Sequence, residues 1–209
     1  MFEVELKAHV RDRAETIRQL NSFARFDRII IKDDSYFKLE RPGKERVTAR
    51  IRIEEHRSTE DFFNFTGQKI IAKKRFLTYK KKERRTEDDG GTIEVNDEYE
   101  TEISNAECVK ELLLASGFTH HFSKHKDSLG WYTECPAGFF SRVHLELCEV
   151  PPLGDFLEIE ILSPRQDEEA LQEINLTLKY FVMKSGLSLS DIEEKYYSEL
   201  LEKQGALKI

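Results

Sequence analysis

The sequence predicts an α+β fold: an antiparallel sheet of about eight strands clad by helices. Three observations lead there. Eight segments alternate apolar and polar residues with the two-residue period of a strand. Four of them follow one another through short polar or glycine-bearing links, which implies antiparallel pairing. The polar positions are almost all ionic, so most of these strands carry one unmixed charged face.

The first strand is "FEVELKAHV", in which Glu3, Glu5 and Lys7 alternate with Val4 and Leu6. A helix follows in "RDRAETIRQLNSFARF", where Ala14, Ile17, Leu20 and Ala24 form a stripe and Asp12 with Glu15 makes a capping box. Then come the four linked strands "RIIIKDDSYFKLE", "RVTARIRIEE", "QKIIAKKRFLTYKKKE" and "GTIEVNDEYETEI". A second helix, "SNAECVKELLLASG", is expected to start at a Ser104/Glu107 box and to stop at Gly117. Cys108 within it reads as core. Three more strands follow: "THHFSKHKDSLGWY", "FFSRVHLELCEV" and "GDFLEIEIL". The chain closes with two helices. One is capped by Ser163 with Pro164 at its first position, and the other, "SDIEEKYYSELLEK", gathers Ile192, Tyr196, Leu200 and Leu201 on one side. With no internal repeat and no low-complexity linker, residues 1–209 read as one domain.

Composition narrows the function classes. The 209 residues carry a net charge of −7, which argues against a general nucleic-acid footprint. Eight basic residues crowd into Lys73–Arg85, but few aromatics accompany them. Cys108, Cys135 and Cys148 are odd in number and lack a C-x-x-C pair, so neither a disulfide framework nor a zinc ribbon is expected. A reducing cytoplasm suits them. No apolar run reaches the roughly 20 residues of a membrane helix. His120, His121 and His125 lack a matching ligand set and read as a solvated turn. Trp131 and Tyr132 suit either base stacking or hairpin packing.

Where the charged faces point decides the rest. Arg50, Arg52 and Glu54 alternate with Ala49, Ile51 and Ile53; Arg142, His144 and Glu146 alternate with Val143, Leu145 and Leu147; Glu158 and Glu160 alternate with Leu157, Ile159 and Ile161. Such faces can meet water if the apolar faces pack against a second sheet or a helical layer. Alternatively the sheet closes into a barrel whose ionic faces line a tunnel. Acids dominate the first and last strands and bases those between. Buried charges of both signs need partners. A polyphosphate with divalent cations supplies them: Lys and Arg bind its oxygens, and carboxylates bind Mg²⁺ or Mn²⁺.

These residues resemble a known family. "EVELK" is similar to the E-x-E-x-K signature of the CYTH, or triphosphate tunnel metalloenzyme, superfamily. "DSYF" resembles its D-x-Y-F, "ARIRI" its L-R-I-R, "LTYK" its T-x-K and "LGDFLEIE" its L-G-x-F-x-E-I-E, all in family order from residue 2 to 160. "YYSELL" is similar to the S-Y-x-x-L-L ending of bacterial class IV adenylyl cyclases. The resemblance implies a closed antiparallel barrel, a tunnel, with helices outside. It implies a divalent metal, Mg²⁺ or Mn²⁺, held by Glu3, Glu5, Glu98, Glu100, Glu158 and Glu160. It also implies phosphate binding by Lys7, Arg50, Arg52, Lys80, Lys124 and Lys126, joined by Arg142 from its strand's ionic face, and catalytic roles for Glu5, Lys80 and Glu146. Two departures stand out. Asn96 replaces a common Arg, and Cys148 falls where the penultimate strand has an acid, leaving Glu146 to supply that carboxylate, particularly if the "EVPP" turn shifts the register.

The activity so implied is metal-dependent processing of a triphosphate. The leading form is conversion of ATP to cyclic AMP and pyrophosphate. The alternatives are hydrolysis of thiamine triphosphate, tripolyphosphate or a nucleoside triphosphate, and non-catalytic binding of polyphosphate or nucleotide. The expected partner is thus a small-molecule triphosphate, without membrane or nucleic acid, with a homodimer left open.

Overall fold

The computed structural model describes residues 2–44, 46–59, 69–86, 92–135 and 142–205, with the side chains of 80–86 and 92–98 excepted. The alternating segments all become strands: β1 (Phe2–His9), β2 (Arg25–Leu39), β3 (Val47–Arg57), β4 (Ile70–Thr86), β5 (Thr92–Glu102), β6 (Thr119–Glu134), β7 (Arg142–Val150) and β8 (Gly154–Ser163). Every pairing is antiparallel, and the ring order is β1-β5-β4-β3-β2-β6-β7-β8. Because β1 pairs with both β5 and β8, the sheet closes on itself.

Closure gives each strand an inside and an outside. Val4, Leu6 and Ala8 of β1 point outward with Leu145 and Leu147 of β7 and Leu157, Ile159 and Ile161 of β8. They are covered by α1 (Arg13–Phe23), through Leu20, and by α3 (Glu168–Lys184), through Leu171, Ile174, Leu178, Phe181 and Val182. The hydrophobic core therefore lies between barrel and helices. Each fully buried aliphatic there contributes about 1.5–3 kcal/mol, which is what allows the barrel interior to be given over to charge. Trp131 belongs to this outer core: it is 1% exposed, donates from Nε1 to Asn21 Oδ1 at 2.8 Å and packs edge-on against Phe26. Of its two expected roles, packing is the one observed.

Helix ends follow local chemistry with three departures. Asp12 caps α1 by accepting from the Glu15 amide, as expected. In α2 (Ala106–Ala115) the cap is Asn105, not Ser104, and Gly117 adopts φ +91°, the left-handed position that favours glycine. Cys108 is exposed on α2 rather than core, since no residue of this helix is buried. Asp167, not Ser163, caps α3, because Ser163 is the last residue of β8 and its hydroxyl is engaged with the Arg165 backbone. The expected final helix is in fact two pieces. A single 3₁₀ turn (Leu189–Asp191) leads into an extended stretch in which Ile192 bridges to Ala8 and the Glu193 amide donates to the Lys7 carbonyl, and only then does α4 (Tyr197–Lys203) begin. Pairing with β1 wins over helix propensity and delivers α4 to one end of the barrel. Among the described residues, no helix is long and apolar enough to cross a membrane.

Candidate functional site

The inward faces enclose a cavity of about 870 Å³. Strand register decides who meets whom inside it. On β2, Asp34 lies directly opposite Arg52 of β3 and opposite Lys124 of β6. One step along, Tyr36 lies opposite Arg50 and Phe122. Arg50 lies opposite Thr78 of β4, and Thr78 opposite Glu100 of β5. On the far wall Glu146 of β7 lies opposite Glu158 of β8, Glu158 opposite Lys7 of β1, and Glu160 opposite Glu5. The first wall is mainly cationic and the second mainly anionic.

Ion pairs join the two. Lys32 of β2 crosses to Glu146 at 2.5 and 2.8 Å, and Ser128 donates to the same carboxylate at 3.0 Å. Lys126 of β6 reaches both Glu158 oxygens at 2.5 and 2.6 Å. Burial alone would raise the Glu146 pKa, but Lys32 and Lys126 outweigh it and hold it at about 2. Glu158 is likewise pushed up by burial and pulled below the usual range by Lys126. Burial would also raise Asp34, yet Arg52 and Lys124 keep it well below the ordinary carboxylate range. The interior is thus fully ionised at neutral pH at these positions.

One end of the barrel is closed by α4. The Tyr197 ring lies 4.7 Å from the Lys124 ammonium, 4.8 Å from that of Lys126 and 5.6 Å from that of Lys7. Its edge meets Phe156, and its hydroxyl lies 3.8 Å from the Cys148 sulfur. Cys148, Val150 and Phe156 form a small apolar floor with Leu153, Tyr197 and Leu200. Burial pushes the Cys148 thiol up to about 12, with Glu158 adding to the shift, so at this floor it is an uncharged packing group.

Most residues singled out from the sequence converge on this cavity. Glu3, Glu5, Lys7, Arg50, Arg52, Glu100, Lys124, Lys126, Glu146, Glu158 and Glu160 all line it. Glu100 contacts Arg50 at 3.3 Å and Thr78 at 2.8 Å, so it stands among the cations rather than with the acids of β1 and β8. Arg142 departs from expectation: it does not line the cavity, is half exposed, and packs over the Tyr132 ring at 4.4 Å beside Glu134. The reason is its place at the end of β7, past the reach of the tunnel. The side chains of Lys80, Glu98 and Asn96 lie outside the described residues. The "EVPP" turn does not shift the register: Val150 pairs with Gly154 without a bulge, which places Cys148 opposite Phe156 and Glu146 opposite Glu158.

Other residues at the site have no role assigned from the sequence, although Asp34 and Tyr36 belong to the "DSYF" likeness. Lys32, Asp34 and Tyr36 project inward from "KDDSYF", where the double Asp blurs the alternation: Asp33 points out to His125 at 2.7 Å. Arg28 also lines the cavity; it lies across Gly130, where a Cβ would come within 2.8 Å of its Cγ, and its guanidinium donates to His144 Nδ1 at 3.3 Å. His120, His121 and His125 sit within β6 rather than in a turn, and His121 lines the cavity. Burial, with Lys38 and Arg46 nearby, lowers its pKa.

The residues present fit a divalent cation. Glu5 and Glu160 are direct cross-strand neighbours and Glu3 lines the same cavity, so carboxylate oxygens gather along β1 and β8; Glu146 and Glu158 are also opposite one another, but Lys32 and Lys126 already neutralise them. Ligand atoms of Glu146, Cys148 and Glu158 also lie within 4.8 Å of one another, but with Lys32 and Lys126 on the two carboxylates and the thiol uncharged, Glu3, Glu5 and Glu160 make the better fit. The donor set is mainly carboxylate oxygen, which suits Mg²⁺ or Mn²⁺.

Comparisons with known proteins agree with this geometry. The CYTH domain family matches residues 1–196. Among solved structures, the PH1819 protein of Pyrococcus horikoshii OT3 is 26% identical, with 97% of this chain and 99% of that one covered and a TM-score of 0.71. The PH1012 protein of the same organism is 26% identical, with 95% and 98% covered and a TM-score of 0.62. A candidate adenylate cyclase of Vibrio parahaemolyticus shares the fold at 19% identity, with 97% and 98% covered and a TM-score of 0.63. A search of curated proteins returns no match. With the family's match covering nearly all of its length and a closed eight-stranded barrel lined by charge, the chain belongs to the CYTH domain family.

Proposed function

We propose that the cavity takes a linear triphosphate together with a divalent cation, and that the reaction is conversion of ATP to cyclic AMP and pyrophosphate. The observation that carries this reading is the segregation of charge within one 870 Å³ cavity. Lys7, Lys32, Arg50, Arg52, Lys124 and Lys126 offer donors to phosphate oxygens, while Glu3, Glu5, Glu158 and Glu160 would hold the cation. When bound, that cation neutralises phosphate charge and polarises the reacting oxygens. The protein's own task is then to position the chain and offset its charge, the larger part of catalysis in phosphoryl-type reactions.

In this reaction the ribose 3′-hydroxyl gives up its proton to solvent, its oxygen bonds to the α-phosphorus, the bond from that phosphorus to the bridging oxygen breaks, and pyrophosphate leaves. Glu5 is the residue assigned to the reacting centre. Glu146, held at about 2, is too weak a base to take the 3′-hydroxyl proton well, so its assigned role is to keep Lys32 in place. Aromatic groups suited to a nucleoside favour ATP over tripolyphosphate as the substrate: Tyr36, Phe122, His121 and Tyr196 line the cavity beside the cations. The three free cysteines are consistent with work in a reducing cytoplasm.

The test is to incubate purified protein with ATP, thiamine triphosphate and tripolyphosphate, each with Mg²⁺ or Mn²⁺, and to separate the products. Cyclic AMP with pyrophosphate supports the proposal. Orthophosphate without cyclic AMP replaces it with a triphosphatase. Retained binding with no product makes the protein a polyphosphate or nucleotide binder, in which case Glu5→Gln should bind anions as well as the parent or better.

A further inference from the structure

Asp34 does not line the cavity, yet two residues that do are fixed to it. Its side chain is fully buried. Arg52 donates from Nε to Oδ1 at 2.7 Å and from Nη2 to Oδ2 at 3.0 Å, a two-pronged pairing that sets both the position and the plane of the guanidinium. The Lys124 ammonium lies 3.4 Å from Oδ2, and the Tyr36 hydroxyl donates to the same oxygen at 3.4 Å. Register explains the triple contact: Asp34 is the direct cross-strand neighbour of Arg52 on one side and of Lys124 on the other. Arg52 and Lys124 are themselves 13% and 6% exposed in their side chains. Glu54 Oε1 lies 3.7 Å from Arg52 Nη1, so two carboxylates, Asp34 and Glu54, stand against the two cations, and only Asp34 touches both of them. Two of the five guanidinium donors are spent on Asp34, and Nη1 faces Glu54 at 3.7 Å, beyond hydrogen-bond length.

We propose that Asp34 is a positioning residue that holds Arg52 and Lys124, from the strands on either side of it, in the arrangement that receives phosphate oxygens. The inference rests on the reading of the cavity as a polyanion site. It separates from simple charge neutralisation by sign. If Asp34 only offset charge, its removal would leave the cavity more positive and a polyanion would bind more tightly. If it positions the two cations, removal releases them and binding weakens despite the gain in positive charge.

The experiment measures tripolyphosphate affinity by calorimetry at low salt for the full chain, Asp34→Asn and Asp34→Glu, together with the Arg52 Nε–H resonance of each. The expected result is binding at least about tenfold weaker in D34N, and a protected Arg52 Nε–H signal that loses its protection. D34E keeps the charge, so it guards against a variant that fails to fold. Its longer arm cannot satisfy both cations in place, and its affinity should fall at least about threefold. Unchanged or tighter binding in a folded variant overturns the proposal, as does an Arg52 signal that remains protected in D34N. Wild-type protein that binds no tripolyphosphate would instead sink the polyanion reading of the cavity, and the Arg52 signal alone would then decide the role of Asp34.

Discussion

Replacing Glu146 by Gln tests the electrostatics of the interior quantitatively. Glu146 is paired with Lys32, the two side chains being 19% and 11% exposed, and it also accepts from Ser128. Its carboxyl is displaced from the usual 4.5 to about 2: burial opposes the shift, and Lys32 and Lys126 drive it. A folded-state pKa below the unfolded one means stability that is fully present above pH 4.5 and lost as the pH falls towards 2. The size of the shift corresponds to about 3 kcal/mol. An independent route gives a similar figure, since leaving one member of a buried pair without its partner costs about 3–5 kcal/mol. Urea unfolding of wild type and E146Q at pH 7, 4 and 2.5 reads this directly. The variant should be about 3 kcal/mol less stable at pH 7. The gap should close as the pH approaches 2, where the wild-type carboxyl becomes neutral like the amide. A gap that is absent at pH 7, or that does not change with pH, would refute the reasoning.

Two further outcomes follow from the same structure. Trp131→Ala should destabilise the fold by about 3–5 kcal/mol, because it empties a fully buried site between barrel and helices and leaves Asn21 without its donor; thermal unfolding measures it. Tyr197→Phe keeps the ring among Lys7, Lys124 and Lys126 and loses the hydroxyl with its contacts to Cys148 and Glu158, whereas Tyr197→Ala removes the ring itself. Triphosphate affinity should therefore change little in Y197F and several-fold in Y197A, as read by titration calorimetry.

The sheet was legible in the sequence because its alternation is strict. In "EVELK", "ARIRI", "VHLEL" and "FLEIEI" the inward positions are acids, bases or His144, with Phe156 at the floor as the exception, and the outward ones are aliphatic, so a one-residue slip would bury the wrong face. That regularity also placed Glu3, Glu5, Arg52, Lys126 and Glu158 in one cavity. Where the period falters, information was lost. The double Asp at 33 and 34 hid which carboxylate turns inward, and with it the pairing to Arg52 and Lys124. Arg142 shares the inward face of its strand with His144 and Glu146, but alternation does not say how far along the tunnel a residue stands. The tail misled for a different reason. "SDIEEKYY" has helical spacing, yet the backbone of Ile192 and Glu193 is taken up by β1, a tertiary contact that local periodicity does not encode. Tyr197 reaches the cavity only because of that detour.

On the proposed function, the barrel interior takes a polyanion and a divalent cation together. The most direct measurement is calorimetric titration of tripolyphosphate into the full chain with and without Mn²⁺, repeated on Glu5→Gln. Saturable one-to-one binding that Mn²⁺ strengthens is expected, as is loss of that strengthening in the variant. Absence of saturable binding, or an affinity indifferent to Mn²⁺ in the wild-type protein, would contradict it.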